Sequence, residues 1–336
     1  MHKCLSRLFI VLCLLVSVGN AFALESIVLA VPGPGSLVYL PVQLAQAIGA
    51  DRAEGLDLKL RYFSGGPLAI RDLDNRNSDF AVVGMPAIAS ARADGITVLA
   101  IGQLSQVAMV SLMLRSDLHD RVKTISQLKG MRIGVNTSTR TARSTSQILT
   151  EYLLARAGIQ STEVQFIPTG QSREAQRAAL QSKTVDAMMG DEPFASEMTR
   201  SGQVILLADL YAPRTSSSLL GGPFVHAALS TREDVFTNHP EAVRNVQRMF
   251  DRTLQWLAKH SPSEVLEALS SQPGYDAQSI SSTLPVLERN PGMYPLHVAW
   301  NDKAVAVTER FFLSMAIDGS EKQLRFSDFV RALPSP

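Results

Sequence analysis

Gly130-Met-Arg-Ile-Gly-Val-Asn136-Thr-Ser-Thr-Arg140-Thr-Ala-Arg143-Ser-Thr-Ser-Gln-Ile148 carries the pattern on which the reading of this chain turns. Arg132 to Val135 predicts a short apolar strand, a hydroxyl-rich turn follows, and an amphipathic helix is expected from Ala142 to Ala157. Strand, polar turn and helix make the repeating unit of an α/β sheet. The first amides of such a helix lack internal partners and stand at the positive end of its dipole. Thr137, Ser138, Thr139 and Thr141 add hydroxyls there, and Arg140 and Arg143 add positive charge. The turn is therefore a candidate site for a small polar or anionic group. Ser and Thr in these positions serve equally as ordinary helix N-caps.

The unit recurs on both sides. Upstream, Ser26 to Val31, Leu56 to Phe63, Phe80 to Val83 and Thr97 to Gly102 predict strands, with helices from Leu37 to Ile48, from Pro67 to Asn75 and up to Asp94. The first three strands end at Pro32-Gly-Pro-Gly-Ser36, Ser64-Gly-Gly66 and Gly84-Met-Pro86, turns that cannot continue a strand. After the apolar run Val107 to Leu114 the alternation restarts. Glu163 to Ile167, Val185 to Met189 and Val204 to Ala208 predict strands, and Gly221-Gly-Pro223 breaks the pattern before a strand from Val225 to Ser230. The remainder is mostly helical, led by a helix after Pro240 whose inner face is Val243, Val246, Met249, Phe250, Thr253 and Leu257. The expected organisation is two α/β lobes, with residues 24–114 and 226–336 in one and residues 115–225 in the other. Open sheets of this class bind ligands at the carboxyl ends of their strands, where the Gly- and Pro-rich turns fall.

Residues 1–23 read as a secretion signal: His2, Lys3 and Arg7 at the start, an apolar run from Leu8 to Val18, and Ala21-Phe-Ala23 as a cleavage site. Both cysteines, Cys4 and Cys13, fall inside it, so the exported chain is expected to work without thiols or disulfides. Leu12, where a lipidation signal wants a small residue, argues against a lipid anchor on Cys13. With 32 basic and 31 acidic residues dispersed along the chain, no basic block recommends nucleic acid or an anionic membrane as a partner.

Catalytic motifs are absent: no Gly-x-Ser-x-Gly elbow, no paired-histidine zinc motif, no phosphate loop with its lysine. His119, His226, His239, His260 and His297 are scattered and expected to be surface or capping residues. Asp191-Glu192-Pro193 is more pointed, because two carboxylates directly follow a buried strand at the ligand edge. One of them contacts a ligand amine or hydroxyl, or pairs with Arg140 or Arg143, on one reading; on the other they merely open a helix. Tyr39, Phe63, Phe194 and Phe224 lie near the turns and are candidates for pocket lining or for core. Oxygen ligands are not clustered for a metal ion, and no cofactor is expected.

The order of elements resembles the periplasmic solute-binding proteins of nitrate, sulfonate and taurine uptake systems, a group that includes thiamine-pyrimidine binders. The matching stretches are Phe63-Ser-Gly-Gly66, Asn77-Ser-Asp-Phe-Ala-Val-Val-Gly84, Ile125-Ser-Gln-Leu-Lys-Gly-Met-Arg-Ile-Gly-Val135, Val185-Asp-Ala187 with Glu192-Pro193, and His239-Pro-Glu-Ala-Val243. The resemblance implies a two-lobed type II periplasmic binding protein fold: each lobe a mostly parallel sheet flanked by helices, with the ligand cleft between them. It implies a monomer that captures a small anionic or zwitterionic solute and delivers it to the permease of an ABC importer in the inner membrane. Site residues are carried over as Gly35, Ser36 and Tyr39; Ser64, Gly65 and Gly66; Gly84 and Met85; Asn136, Thr137, Ser138, Thr139, Arg140 and Thr141; and Asp191 and Glu192. The sequence departs from the family at Pro34-Gly-Ser-Leu37, and it is unusually rich in Thr and Arg over residues 136–145, which leaves the ligand open. Two other roles share the fold: a sensor that signals to a membrane receptor, and a pyrimidine-forming enzyme. The enzyme would be cytosolic and would need a histidine or cysteine in the cleft.

Overall fold

The computed structural model describes residues 24–316 and 319–332; the expected secretion signal, with Cys4 and Cys13, lies outside the described residues. Among the described residues ten strands form two five-stranded sheets. The first holds β1 (Glu25–Pro32), β2 (Leu56–Phe63), β3 (Phe80–Gly84), β4 (Val98–Gln103) and β10 (Ala227–Arg232) in the order β2-β1-β3-β10-β4. The second holds β5 (Val110–Arg115), β6 (Arg132–Val135), β7 (Gln165–Pro168), β8 (Ala187–Asp191) and β9 (Val204–Asp209) in the order β7-β6-β8-β5-β9.

The sheets share one plan. β1 pairs in parallel with β2 and β3, as β6 does with β7 and β8. One strand in each runs against the rest, and it is the strand by which the chain enters from the other sheet: β5 lies antiparallel between β8 and β9, and β10 between β3 and β4. The chain thus passes between the sheets after β4 and again after β9. Both sheets are flanked by helices, which makes the two-lobed α/β architecture of a type II periplasmic binding protein.

Strands β3, β4, β5 and β8 are buried along their whole length, so their near-continuous apolar runs reflect cover on both faces. One large core unites the first sheet, its helices and much of the second sheet. A smaller cluster around Met113, Met188, Phe194 and Met198 covers part of the second sheet. Helix Pro240–Lys259 packs on helix Leu40–Ala47 and buries Val243, Val246, Met249, Phe250 and Leu254, with Leu254 rather than Leu257 as its last fully buried apolar residue.

Candidate functional site

The carboxyl ends of β1, β2 and β3 face those of β6, β7 and β8, and the turns that leave them touch. Leu37 donates its backbone N–H to the Glu192 carbonyl (2.9 Å), and Ser138 donates its own to the Ser64 carbonyl (2.9 Å). A Cβ at Gly65, whose φ is +126°, would stand 3.0 Å from Thr137; one at Gly84 would stand 2.0 Å from the Thr145 hydroxyl. Only glycine permits these approaches.

Between the turns lies a cavity of about 20 Å³ lined by Tyr39, Gly66, Gly84, Asn136, Ser144, Thr145, Ser146, Gln171, Asp191 and His226. That is room for roughly one water, so a larger solute enters only if the two sets of turns part. Asp191, at the end of β8, organises the wall. Its carboxylate accepts from Asn136 Nδ2 (2.7 Å), Gln171 Nε2 (2.7 Å) and, from the opposite side of the cleft, Ser36 Oγ (3.1 Å). Burial pushes its pKa up to about 6 although these three donors act to lower it. Burial, with the Asp191 charge adding to it, raises the Tyr39 hydroxyl well above its ordinary range.

The remaining lining groups are polar and neutral. Asn136 gives its amide N–H to Asp191, which leaves Oδ1 as its acceptor, and that atom is buried without a partner. The Thr145 hydroxyl is likewise buried and unpartnered. His226 Nδ1 accepts from the Met109 backbone N–H (3.0 Å), so the ring proton resides on Nε2. Burial lowers the His226 pKa to about 3, which keeps the ring neutral. One unsatisfied acceptor, one unpartnered hydroxyl that can donate or accept, and a buried carboxylate, with no cationic side chain in the lining, describe a site short of positive charge.

The family model described as NMT1/THI5 like matches residues 38–264. The chain belongs to the NMT1/THI5-like family. A relative in Brucella abortus (strain 2308), named as a candidate binding protein, is 26% identical over 210 residues, which cover 60% of this chain. The chain spans 58% of that relative's length. Among solved structures, a protein of Bordetella bronchiseptica RB50 superposes with a TM-score of 0.83 at 19% identity, covering 92% of this chain and 95% of the other. The alkanesulfonate-binding protein SsuA of Xanthomonas axonopodis pv. citri, bound to MOPS, gives a TM-score of 0.69 at 16% identity, covering 92% and 99%. These likenesses show that the chain shares the fold of the alkanesulfonate-binding protein.

In this NMT1/THI5-like chain the residues expected at the site separate into groups. Tyr39, Gly66, Gly84, Asn136 and Asp191 line the cavity. Gly35, Ser36 and Glu192 border an adjoining gap of about 10 Å³ with Arg173, whose guanidinium donates to the Gly35 carbonyl. Ser64, Gly65 and Thr137 form the contact between the two sides, and Met85 is buried beside them with its N–H on the His226 carbonyl.

Three expectations are corrected. The helix begins at Thr145 with Ser144 as its N-cap, so residues 137–141 are not its first turn. Thr139 N–H bonds to the Thr137 hydroxyl and Thr141 N–H to that of Thr139, a run of local turns that holds this segment out of the helix. Ser138, Arg140 and Thr141 are exposed and Thr139 half-buried, away from the cavity, and Arg143 is bound to Glu151 and Glu321. The anion site expected at this turn is therefore not assembled. Glu192 turns its carboxylate away from the cavity, accepting from the Ser196 N–H (3.1 Å) with Arg289 at 3.8 Å; burial raises its pKa to about 7.

His226 reverses the surface reading, being only 2% exposed. Its signal is positional, since it immediately precedes the strand Ala227–Arg232 that follows Gly221-Gly-Pro223 and returns to the first sheet. Gln171 had the comparable signal of closing the turn after β7. Of the four aromatic candidates only Tyr39 lines the cavity; Phe194 and Phe224 are core. Among the described residues no cluster of His, Cys, Asp or Glu could hold a metal ion, and no helix is long and apolar enough to cross a membrane.

Proposed function

We propose that the chain is the extracytoplasmic solute-binding component of an ABC importer, closing its lobes over one small solute that presents N–H donors to Asp191. Family membership and the binding-protein fold support the transport role; the leader read in residues 1–23 supports export to the periplasm. The observation that carries the ligand chemistry is the Asp191 carboxylate, 9% exposed at the junction of the two sheets in a cavity without a cationic side chain. A buried carboxylate is costly unless paired, and a protonated amine, amidine or N–H-bearing heterocycle supplies what the lining lacks. Asn136 Oδ1 and the Thr145 hydroxyl are further acceptors for the same donors. A zwitterion fits if its ammonium faces Asp191. A simple sulfonate or nitrate meets no cationic side chain in this cavity's lining: Arg140 and Arg143 are elsewhere, and Arg173, across the adjoining gap, is bound to the Gly35 carbonyl.

The test is a thermal-shift screen of residues 24–336 against amines, amino-heterocycles, zwitterions, carboxylates and sulfonates. Stabilisation by donor-bearing neutral or cationic compounds is expected. Stabilisation confined to sulfonates and carboxylates would sink the ligand reading.

A further inference from the structure

Arg143 lies on the approach to helix Thr145–Arg156, which packs on the second sheet, yet its guanidinium joins the two sides of the molecule. Nε and Nη2 donate to Glu151 of the helix that follows, Nη1 to both carboxylate oxygens of Glu321 (2.8 and 3.0 Å), and Nη2 also to the Met315 carbonyl (3.2 Å). All three guanidinium nitrogens are thereby engaged. Glu321 belongs to helix Gly319–Gln323, which packs on helix Met85–Ala93 beside the first sheet, and Met315 ends helix Asp302–Ser314, which packs there too. The three charged side chains are only 6–13% exposed, so solvent screens the pair little. Glu151 is itself held by Gln147 Nε2 (2.9 Å). Separation of the two sides would leave Arg143 with Glu151 and take Glu321 and the Met315 carbonyl from it.

We infer that Arg143 is a positioning residue for solute capture: paired with Glu321, it holds the two lobes closed and sets affinity without touching the solute. The inference rests on the solute-binding reading for its purpose, but the closure it describes is measurable with no solute at all. A protein whose closed form is partly populated binds in proportion to that population. Weakening the pair should therefore lower affinity through faster dissociation, at an unchanged cavity.

The experiment places spin labels at Asn75→Cys and Gln181→Cys, exposed positions on the first and second sides of a chain with no other cysteine after residue 23. Pulsed electron–electron distances are recorded for the parent, Glu321→Gln and Arg143→Lys, with circular dichroism as the check on folding. The parent should show a populated short, closed distance. Glu321→Gln should shift the closed-to-open ratio by about tenfold or more toward a longer distance, as expected for loss of a close charge pair. Arg143→Lys, which keeps the charge and loses the fork, should fall between them. A parent with only the open distance, or a Glu321→Gln variant that folds with the parent's distribution, would overturn the inference; if Glu321→Gln fails to fold, an Arg143→Lys distribution equal to the parent's does the same. A thermal-shift screen that finds no solute would overturn the transport reading and leave this one standing.

Discussion

Asp191 shows how much one position can ask of its surroundings. Three donors from three different turns, Ser36, Asn136 and Gln171, converge on its two oxygens, yet burial still holds its pKa up at about 6 from an ordinary 3.8. A carboxyl group whose pKa is raised on folding binds its proton more tightly in the native state. Its contribution to stability is complete below about pH 4 and is lost as pH rises through about 6. Glu192 acts in the same direction up to about 7, whereas His226, lowered to about 3, acts oppositely below 6.5. The difference between two variants isolates the residue. Relative to the parent, Asp191→Asn should gain stability steadily from pH 4 to 7 in urea titrations, by on the order of 2–3 kcal/mol at ~1.4 kcal/mol per pKa unit. A difference independent of pH would show that folding does not raise the Asp191 pKa.

At the scale of elements, strand and helix positions were largely legible and their contacts were not. Apolar runs and Gly–Pro breaks located the strands of the described residues, because the central strands of both sheets are buried and several strands end at Gly- or Pro-rich turns. The start of helix Thr145–Arg156 was missed for a local reason: residues 137–145 offer several competent N-caps, and only the hydroxyl-to-amide bonds among Thr137, Thr139 and Thr141 select Ser144. Arg143 read as an anion ligand because its partners lie 8 and 178 positions away, and the second of these is set by packing alone. Gly84 likewise looked like a turn residue, whereas its absent side chain makes space for Thr145 of the opposite element. Its φ of −66° suits alanine, so Gly84→Ala is expected to fold normally. Overpacking of this kind costs roughly 1–3 kcal/mol, which predicts a ten- to hundred-fold loss of solute affinity by calorimetry at 1.4 kcal/mol per decade. A Gly84→Ala variant that binds like the parent would show that these elements need not meet.

At the scale of the whole molecule, two sheets of one plan each lend a strand's end to the site and exchange the strand that crosses between them. This architecture explains how the described residues, without thiols or a cluster of metal-ligating side chains, assemble a specific cavity: the turns of each sheet are polar, and only their meeting encloses them. The fold could be read from the sequence because it depends on periodicity along the chain. The sign of the site's charge could not, since it follows from which side chains face inward when the sheets approach, and Asp191 turned in while Arg140 stayed outside. Isothermal titration of the solute that most stabilises the protein, into the parent, Asp191→Asn and Arg140→Ala, decides between these two charges. The account predicts at least a ten-fold loss of affinity for Asp191→Asn, the lower bound for a charge-assisted hydrogen bond worth roughly 1.5–3 kcal/mol, and parental affinity for Arg140→Ala. Parental binding by Asp191→Asn together with a loss at Arg140→Ala would contradict it.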